Sequence, residues 1–305
     1  MTTAFTRLIR RNLQNYFRDG SSVFFSLLSM LILILLMVVF LGDVYSSGIA
    51  EAALAVCPFL DPDAASADSA SLVRLWTLGS VLSVNVVTVS AMGIGAMVTD
   101  EIEQKLQVFY VTPVRRSVLA LSYIVSAWLI TLVMSAITLA FAEALLAILG
   151  DPLLTVRHLL ALLGQIAVSA LTFSCLAYLL ALFIHSQGAW VGVLIVLGTL
   201  VGFLSGSYIP VSDMGETIQT GLKCLPFLHG AAMLRTTCME SALEQCFVGA
   251  PEALLAGIRE TLGTTVVLGD HSFSLPEQLS IFLEYGIVAL GLAVLITRKH
   301  RAKER

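Results

Sequence analysis

Six predominantly apolar runs punctuate the chain, at approximately Val23 to Leu41, Leu75 to Val98, Val118 to Leu149, Leu159 to Ile184, Ala189 to Ile209 and Leu279 to Thr297. Each has at least ~18 residues, which at ~1.5 Å per residue of helix crosses a hydrocarbon core of ~30 Å. Between the second and third runs lies a polar segment, Asp100-Glu101-Ile102-Glu103-Gln104-Lys105, continuing through Phe109-Tyr110 to Thr112-Pro113-Val114-Arg115-Arg116. Its charged start, its apolar residues at helical spacing (Ile102, Leu106, Phe109, Tyr110) and its Pro stop predict a short amphipathic helix on the membrane surface. A second amphipathic element precedes the first run. There Phe5, Leu8, Ile9, Leu13, Tyr16 and Phe17 recur every three or four residues, with Arg7, Arg10, Arg11, Gln14, Asn15 and Arg18 opposite them. This helix, residues 4–18, should lie flat in the interface, its apolar face at the headgroup boundary and its arginines toward anionic lipid or a protein partner.

Composition agrees with that pattern. The 305 residues are 57% hydrophobic and 12% charged, about half the charged fraction of a soluble globular chain, and the mean hydropathy is +0.91. The fold class is therefore an all-α integral membrane protein, with a single membrane domain over residues 1–305. The first run exceeds the apolar region of a secretory signal and is followed by no convincing cleavage site, so it is expected to be retained.

Net charge is −4, but the placement of the charges carries more information than their sum. Arg7, Arg10, Arg11 and Arg18 precede the first run, Lys105, Arg115 and Arg116 follow the second, and Arg298, Lys299, Arg301, Lys303 and Arg305 follow the sixth. An even number of crossings puts them all on one face, which is then cytoplasmic. The other face carries only Arg74, Arg157, Lys223, Arg235 and Arg259 among many acids. Five or seven crossings would split the two basic termini across the bilayer.

Inside the runs, Asn85, Glu143 and Glu284 are costly in lipid and should face protein or water. Glu143 is near the outer end of a long run and can snorkel; Asn85, near mid-span, can act as interhelical glue. Gly198, Gly202 and Gly206 recur every four residues, a spacing that lets two helix backbones approach closely, within one subunit or across a dimer. The outer segment, 210–274, reads as helical from Gly230 to Phe247 and from Pro251 to Leu262, as either a vestibule lid or a structural cap. Ser274-Leu275-Pro276-Glu277 has the pattern of a capping box opening the last helix. Cys57, Cys224, Cys238 and Cys246 map to the outer face, where a disulfide is permitted. On one continuous helix Cys238 and Cys246 would be ~12 Å apart, too far to bridge, so a bond would join Cys57 or Cys224 to one of them. The five histidines have no ligand spacing with these thiols, so no metal site is expected. Nothing in the chain points to nucleophilic catalysis or nucleic-acid recognition. No Gly-x-x-x-x-Gly-Lys-Ser/Thr phosphate loop occurs, so the chain has no ATPase motif of its own.

Several segments together resemble one family. Arg-Arg-Asn-Leu and Tyr-Phe-Arg-Asp precede the first run, and Asp-Glu-Ile-Glu-Gln-Lys-Leu and Val-Thr-Pro-Val-Arg-Arg separate the second from the third. Gly206-Ser207-Tyr208-Ile209-Pro210 is followed by Leu225-Pro226-Phe227-Leu228-His229 and Leu234-Arg235. In order and spacing these are similar to the type-2 ATP-binding-cassette exporter permeases. The resemblance implies six transmembrane helices, an N-terminal interfacial helix, a cytoplasmic coupling helix within 99–117, and re-entrant or short outer helices before the last span. It also implies pairing with a second permease subunit and two ATPase subunits that hold ATP and Mg, in the bacterial plasma membrane. On this view Glu101, Glu103, Gln104, Lys105 and Leu106 dock on the ATPase and the substrate is a drug, lipid, peptide or glycan precursor. The plainer alternative for the connector is a solvated loop of ion pairs, and for the chain an ATP-independent carrier or scaffold.

Overall fold

The computed structural model describes residues 2–36, 38, 42–56, 61–106, 115–209, 211–246, 252–268 and 271–303. Along the chain the helices are α1 (Thr2–Arg18), α2 (Gly20–Leu36), α3 (Gly42–Val56), α4 (Pro62–Ile102), α5 (Arg116–Leu149), α6 (Val156–Ala181), α7 (Gln187–Leu204), α8 (Glu216–Lys223), α9 (Pro226–Cys246), α10 (Glu252–Thr261) and α11 (Leu275–Lys303). A two-residue strand pair, β1 (Val267–Leu268) and β2 (His271–Ser272), joins antiparallel between α10 and α11. Five helices, α4 to α7 and α11, are long and apolar enough to cross a membrane. The count becomes six if α1 and α2, bent by 65° at their junction, are taken as one broken span.

Local chemistry sets the helix ends. Pro62 opens α4, where its missing N–H leaves no bond unmade. Gly150, in the left-handed region at φ 78°, closes α5 while the Asp151 N–H bonds back to the Leu146 carbonyl at 3.0 Å. The Thr155 and Ser186 hydroxyls accept from the backbone N–H groups of His158 and Ala189 and so cap α6 and α7. Before α11 the Ser274 N–H donates to Glu277 Oε2 at 2.7 Å. That bond, with one from the Ser274 hydroxyl, completes the capping box.

α4 is the hub. It packs against α3, α5, α6, α7 and α9, and Leu72, Leu75, Trp76, Val81, Leu82 and Ile94 are fully enclosed. A helix apolar on every side must sit at the centre of a bundle. Its 41 residues span ~60 Å, about twice a hydrocarbon core. The first half therefore extends past the run read from hydropathy and packs on α3, with Tyr45 edge-on to Trp76 at 5.8 Å. The hydropathy reading places no helix over 42–74, because Asp43, Glu51, Asp63 and Asp68 keep this hairpin below membrane composition.

Lipid supplies no hydrophobic drive between helices, so close approach and side-chain hydrogen bonds hold them together. A Cβ on Gly79 would come within 2.7 Å of the Arg235 Cα, and one on Gly93 within 2.9 Å of the Ala127 Cα. Asn85 Nδ2 donates to Ser135 Oγ at 3.3 Å and Thr138 Oγ1 at 3.1 Å on α5. The Ser90 and Thr131 hydroxyls meet at 3.1 Å, and Gln165 Nε2 donates to Thr237 Oγ1 at 2.8 Å. α9 belongs to the bundle as well, its residues Ala231 to Leu234 being buried against α4 and α6.

Gly79→Ala should thus lower stability by about 1–3 kcal/mol, because the atoms it meets are backbone and cannot swing away. Gly198→Ala, which meets nothing within 4 Å, should leave stability unchanged or raise it by up to ~1 kcal/mol through helix propensity. Thermal unfolding of the two variants in detergent checks the contrast.

Candidate functional site at the base of the central helix

At its C-terminal end α4 stops in a turn. The Glu103 N–H bonds to the Thr99 carbonyl at 2.9 Å and the Gln104 N–H to the Glu101 carbonyl at 3.0 Å. Gln104 then takes φ 57°, which a residue with a side chain adopts only where the chain must turn. Phe109, Tyr110 and Thr112 to Val114 lie outside the described residues.

Asp100 begins this polar segment and is 5% exposed. Three groups converge on it. The Arg11 guanidinium on α1 forms an ion pair with its Oδ2, the Tyr123 hydroxyl on α5 donates to the same oxygen at 2.5 Å, and Arg11 Nη2 also donates to the Tyr123 hydroxyl at 3.1 Å. Beside them Asn12 accepts from Arg11 and donates to Ser126 Oγ at 3.3 Å. α1 is thereby fixed to α4 and α5 where the connector leaves the bundle. Sequence reading missed this group, counting Arg11 only as a basic residue of the interface. The available signal was Asp100 itself, an acid directly abutting an apolar run.

Leu106, 7% exposed, belongs to one apolar cluster with Leu8 of α1, Ile94, Met97 and Val98 of α4, and Trp190 of α7. Glu101 Oε1 lies 3.4 Å from His185 Nδ1 in the connection between α6 and α7, and Thr99 Oγ1 lies 3.4 Å from Gln187 Oε1 at the start of α7. Glu103 pairs with the exposed Lys105, and that hydrogen bond and charge raise the Lys105 ammonium above its ordinary value. Of the five connector residues singled out from sequence, Leu106 faces the bundle, Glu101 bridges to the α6–α7 connection, and Glu103, Gln104 and Lys105 are exposed.

Beside the connector, α1, α4 and α7 line an open cavity of about 410 Å³. Asn15, Asp19, Thr99, Glu103, Lys105 and Gln187 form its polar side, and Met92, Ala96, Val191 and Leu194 its apolar side. The Trp190 indole, 1% exposed, lies on its wall against Gly95, with its N–H unpartnered among the described residues. Such a cavity can hold a group that is polar at one end and apolar at the other.

The other residues proposed from sequence are dispersed. Asn85 joins α4 to α5, as above. Glu143 Oε2 accepts from the Leu154 N–H at 3.4 Å. Glu284 is on the exposed face of α11, without a protein partner among the described residues. Gly202 in α7 and Gly206 just after it make room for the chain's own return, since a Cβ on Gly202 would strike the Tyr208 ring at 2.1 Å and one on Gly206, at φ 63°, would strike Val211 at 2.6 Å. Cys175, Cys224 and Cys238 are free thiols, while Cys57 and the side chain of Cys246 lie outside the described residues. Among those residues no group of three or more His, Cys, Asp or Glu could hold a metal ion.

Compared with known proteins, residues 61–297 match the family model described as ABC-2 family transporter protein. No curated protein matches the chain.

Asp100→Ala would remove the carboxylate shared by a half-buried guanidinium and a buried phenol. We expect a loss of about 2 kcal/mol, discounted from the value for a fully buried pair because Arg11 is partly open to solvent. Amide exchange in α1 should rise. Glu103→Ala breaks only an exposed pair and should cost less than ~1 kcal/mol.

Proposed function

The chain belongs to the ABC-2 family of transporter proteins, and on that premise we propose that it is the membrane permease subunit of an ATP-driven exporter. Family members of this kind are transmembrane subunits, distinct from the ATPase. A separate ATPase subunit, two copies per assembly, binds ATP and Mg and drives the cycle. A second permease subunit, identical or homologous, completes the membrane half. Both termini and the connector face the cytoplasm of a bacterium, in line with the clustering of Lys and Arg on one side of the spans.

The observation that carries this reading is the anchoring of the connector. A solvated loop could not transmit force, because its displacement would be absorbed by its own freedom. Here the segment leaves α4 at a buried carboxylate tied to α1 and α5, and Leu106 is packed in the same cluster as Leu8 and Trp190. A push on Glu101, Glu103, Gln104 and Lys105 is passed to three helices together. Such a push biases a two-state equilibrium of the paired permeases.

The cargo is a hydrophobic or amphiphilic molecule, such as a drug, lipid, peptide or glycan precursor. The cavity beside the connector supports this class, since it sets a polar side against an apolar side.

Glu101→Ala combined with Glu103→Ala tests the coupling. Membrane insertion should persist, while association with the cognate ATPase, or the transport-linked part of its hydrolysis, should fall. Transport unchanged in this variant would remove the coupling role.

A further inference from the structure

The open cavity beside the connector is divided along its depth. Its apolar part is formed by Met92 and Ala96 of α4 with Val191 and Leu194 of α7. Each pair is three or four residues apart and so lies on one side of its helix. Its polar part is formed where those two apolar helices end, by Thr99, Glu103 and Lys105 at the base of α4 and Gln187 at the start of α7, together with Asn15 and Asp19. Ala96 and Met92 stand ~6 Å and ~12 Å along α4 from Asp100. The change from polar to apolar lining thus falls at the ends of two spans, the level at which a bilayer changes from headgroup to acyl chain.

The polar part holds both signs of charge. Glu103 and Lys105 pair with each other, with 48% and 57% of their side chains exposed, and a pair so open to solvent is worth less than ~1 kcal/mol. Either member can therefore turn to a ligand. Asp19 adds a second carboxylate, and Asn15, Thr99 and Gln187 add side-chain oxygens that accept hydrogen bonds. Asp100, which also lines the cavity, keeps Arg11 and Tyr123. A ligand that carries one phosphate and one primary ammonium matches this set. Its phosphate takes the Lys105 ammonium and its N–H groups take the carboxylates, so the exposed pair is exchanged for charge-assisted bonds with no net charge brought in. An anionic headgroup offers the acids nothing, and a trimethylammonium has no N–H to donate.

We propose that the cavity seats the headgroup of a zwitterionic phospholipid bearing a primary amine, with its aminoethyl phosphate in the polar part and the start of an acyl chain between α4 and α7. The proposal rests on the amphiphile reading of this cavity given above and narrows it to one lipid class. Glu103 and Lys105 belong to the connector, so an occupied cavity touches the segment assigned to the ATPase.

Native mass spectrometry of the purified full chain tests the site, with phosphatidylethanolamine, phosphatidylcholine and phosphatidylglycerol of identical acyl chains. The ethanolamine lipid should bind roughly tenfold more tightly than either of the others. Free O-phosphoethanolamine, which lacks the chains, should not displace it. Ala96→Phe, which fills the apolar part, and Glu103→Gln combined with Lys105→Gln should each remove the preference. In the wild-type chain, phosphatidylethanolamine with a diazirine near the start of its acyl chain should label residues 92–96 or 191–194, and unlabelled phosphatidylethanolamine, but not phosphatidylglycerol, should compete. That readout does not require a variant to fold. Equal affinities for the three lipids, displacement by O-phosphoethanolamine, a preference that survives in both variants, or labelling confined to other segments would each overturn the proposal. ATP hydrolysis and transport enter neither readout, so failure of the exporter reading would not be mistaken for failure of the site.

Discussion

A carboxylate cannot be buried as an anion at the end of a membrane helix unless a cation and hydrogen-bond donors replace the water it has lost. Asp100 meets that requirement with Arg11 and Tyr123, and the replacement fixes how three helices meet at one face of the bundle. Arg11 can reach Asp100 only if α1 lies across the base of α4 and α5, and Tyr123 only if α5 turns inward there. The position of α1 is thus set by one charge, and the apolar cluster of Leu8, Leu106 and Trp190 packs where that charge has placed it.

Above this base the bundle relies on the means that lipid leaves available. α4 is apolar in every direction, yet its contacts are made by small and hydroxylated residues: Gly79 against Arg235 of α9, Gly93 against Ala127, Asn85 with Ser135 and Thr138, and Ser90 with Thr131. Such contacts are directional and close-packed, so a displacement at one end of α4 is carried along its length rather than absorbed. At the other end Arg74 and Ser71 grip Asp151 just after α5. The central helix is therefore tied by ion pairs beyond both ends of its apolar run, with weaker hydrogen bonds between. This arrangement suits an element that must move as a unit.

The apolar runs were legible in the sequence because a bilayer imposes its requirement on each segment separately, whatever its neighbours do. The capping pattern Ser274 to Glu277 was legible for the same reason, being local. What was not legible depends on partners distant in the chain. Asp100 and Arg11 are separated by 89 positions, and no periodicity relates them. Gly202 and Gly206 have the spacing of a helix-packing stripe, but that spacing is the same whether a second helix or the chain's own Tyr208 and Val211 fills the groove. Glu284 and Asn85 look alike in a hydropathy profile, yet one is exposed on α11 and the other hydrogen-bonded inside. The hairpin of α3 and the start of α4 escaped because its acids and serines hold it below membrane hydropathy while Ile49, Ala53 and Leu72 still bury. Of the candidate site, sequence marked the connector but not the anchor of Arg11, Asp100 and Tyr123 that holds its start.

The central claim is that the connector after α4 faces the compartment of the motor, opposite the segment that carries Cys224. Gln104 and Cys224 are both exposed, so each can report its side. In a background with Cys57 and Cys246 changed to Ser, Gln104→Cys would be treated in intact cells and in inverted vesicles with a membrane-impermeant maleimide. The account predicts that Cys224 reacts in cells and the thiol at position 104 only in inverted vesicles. Reaction at position 104 in intact cells, with Cys224 protected there, would contradict it.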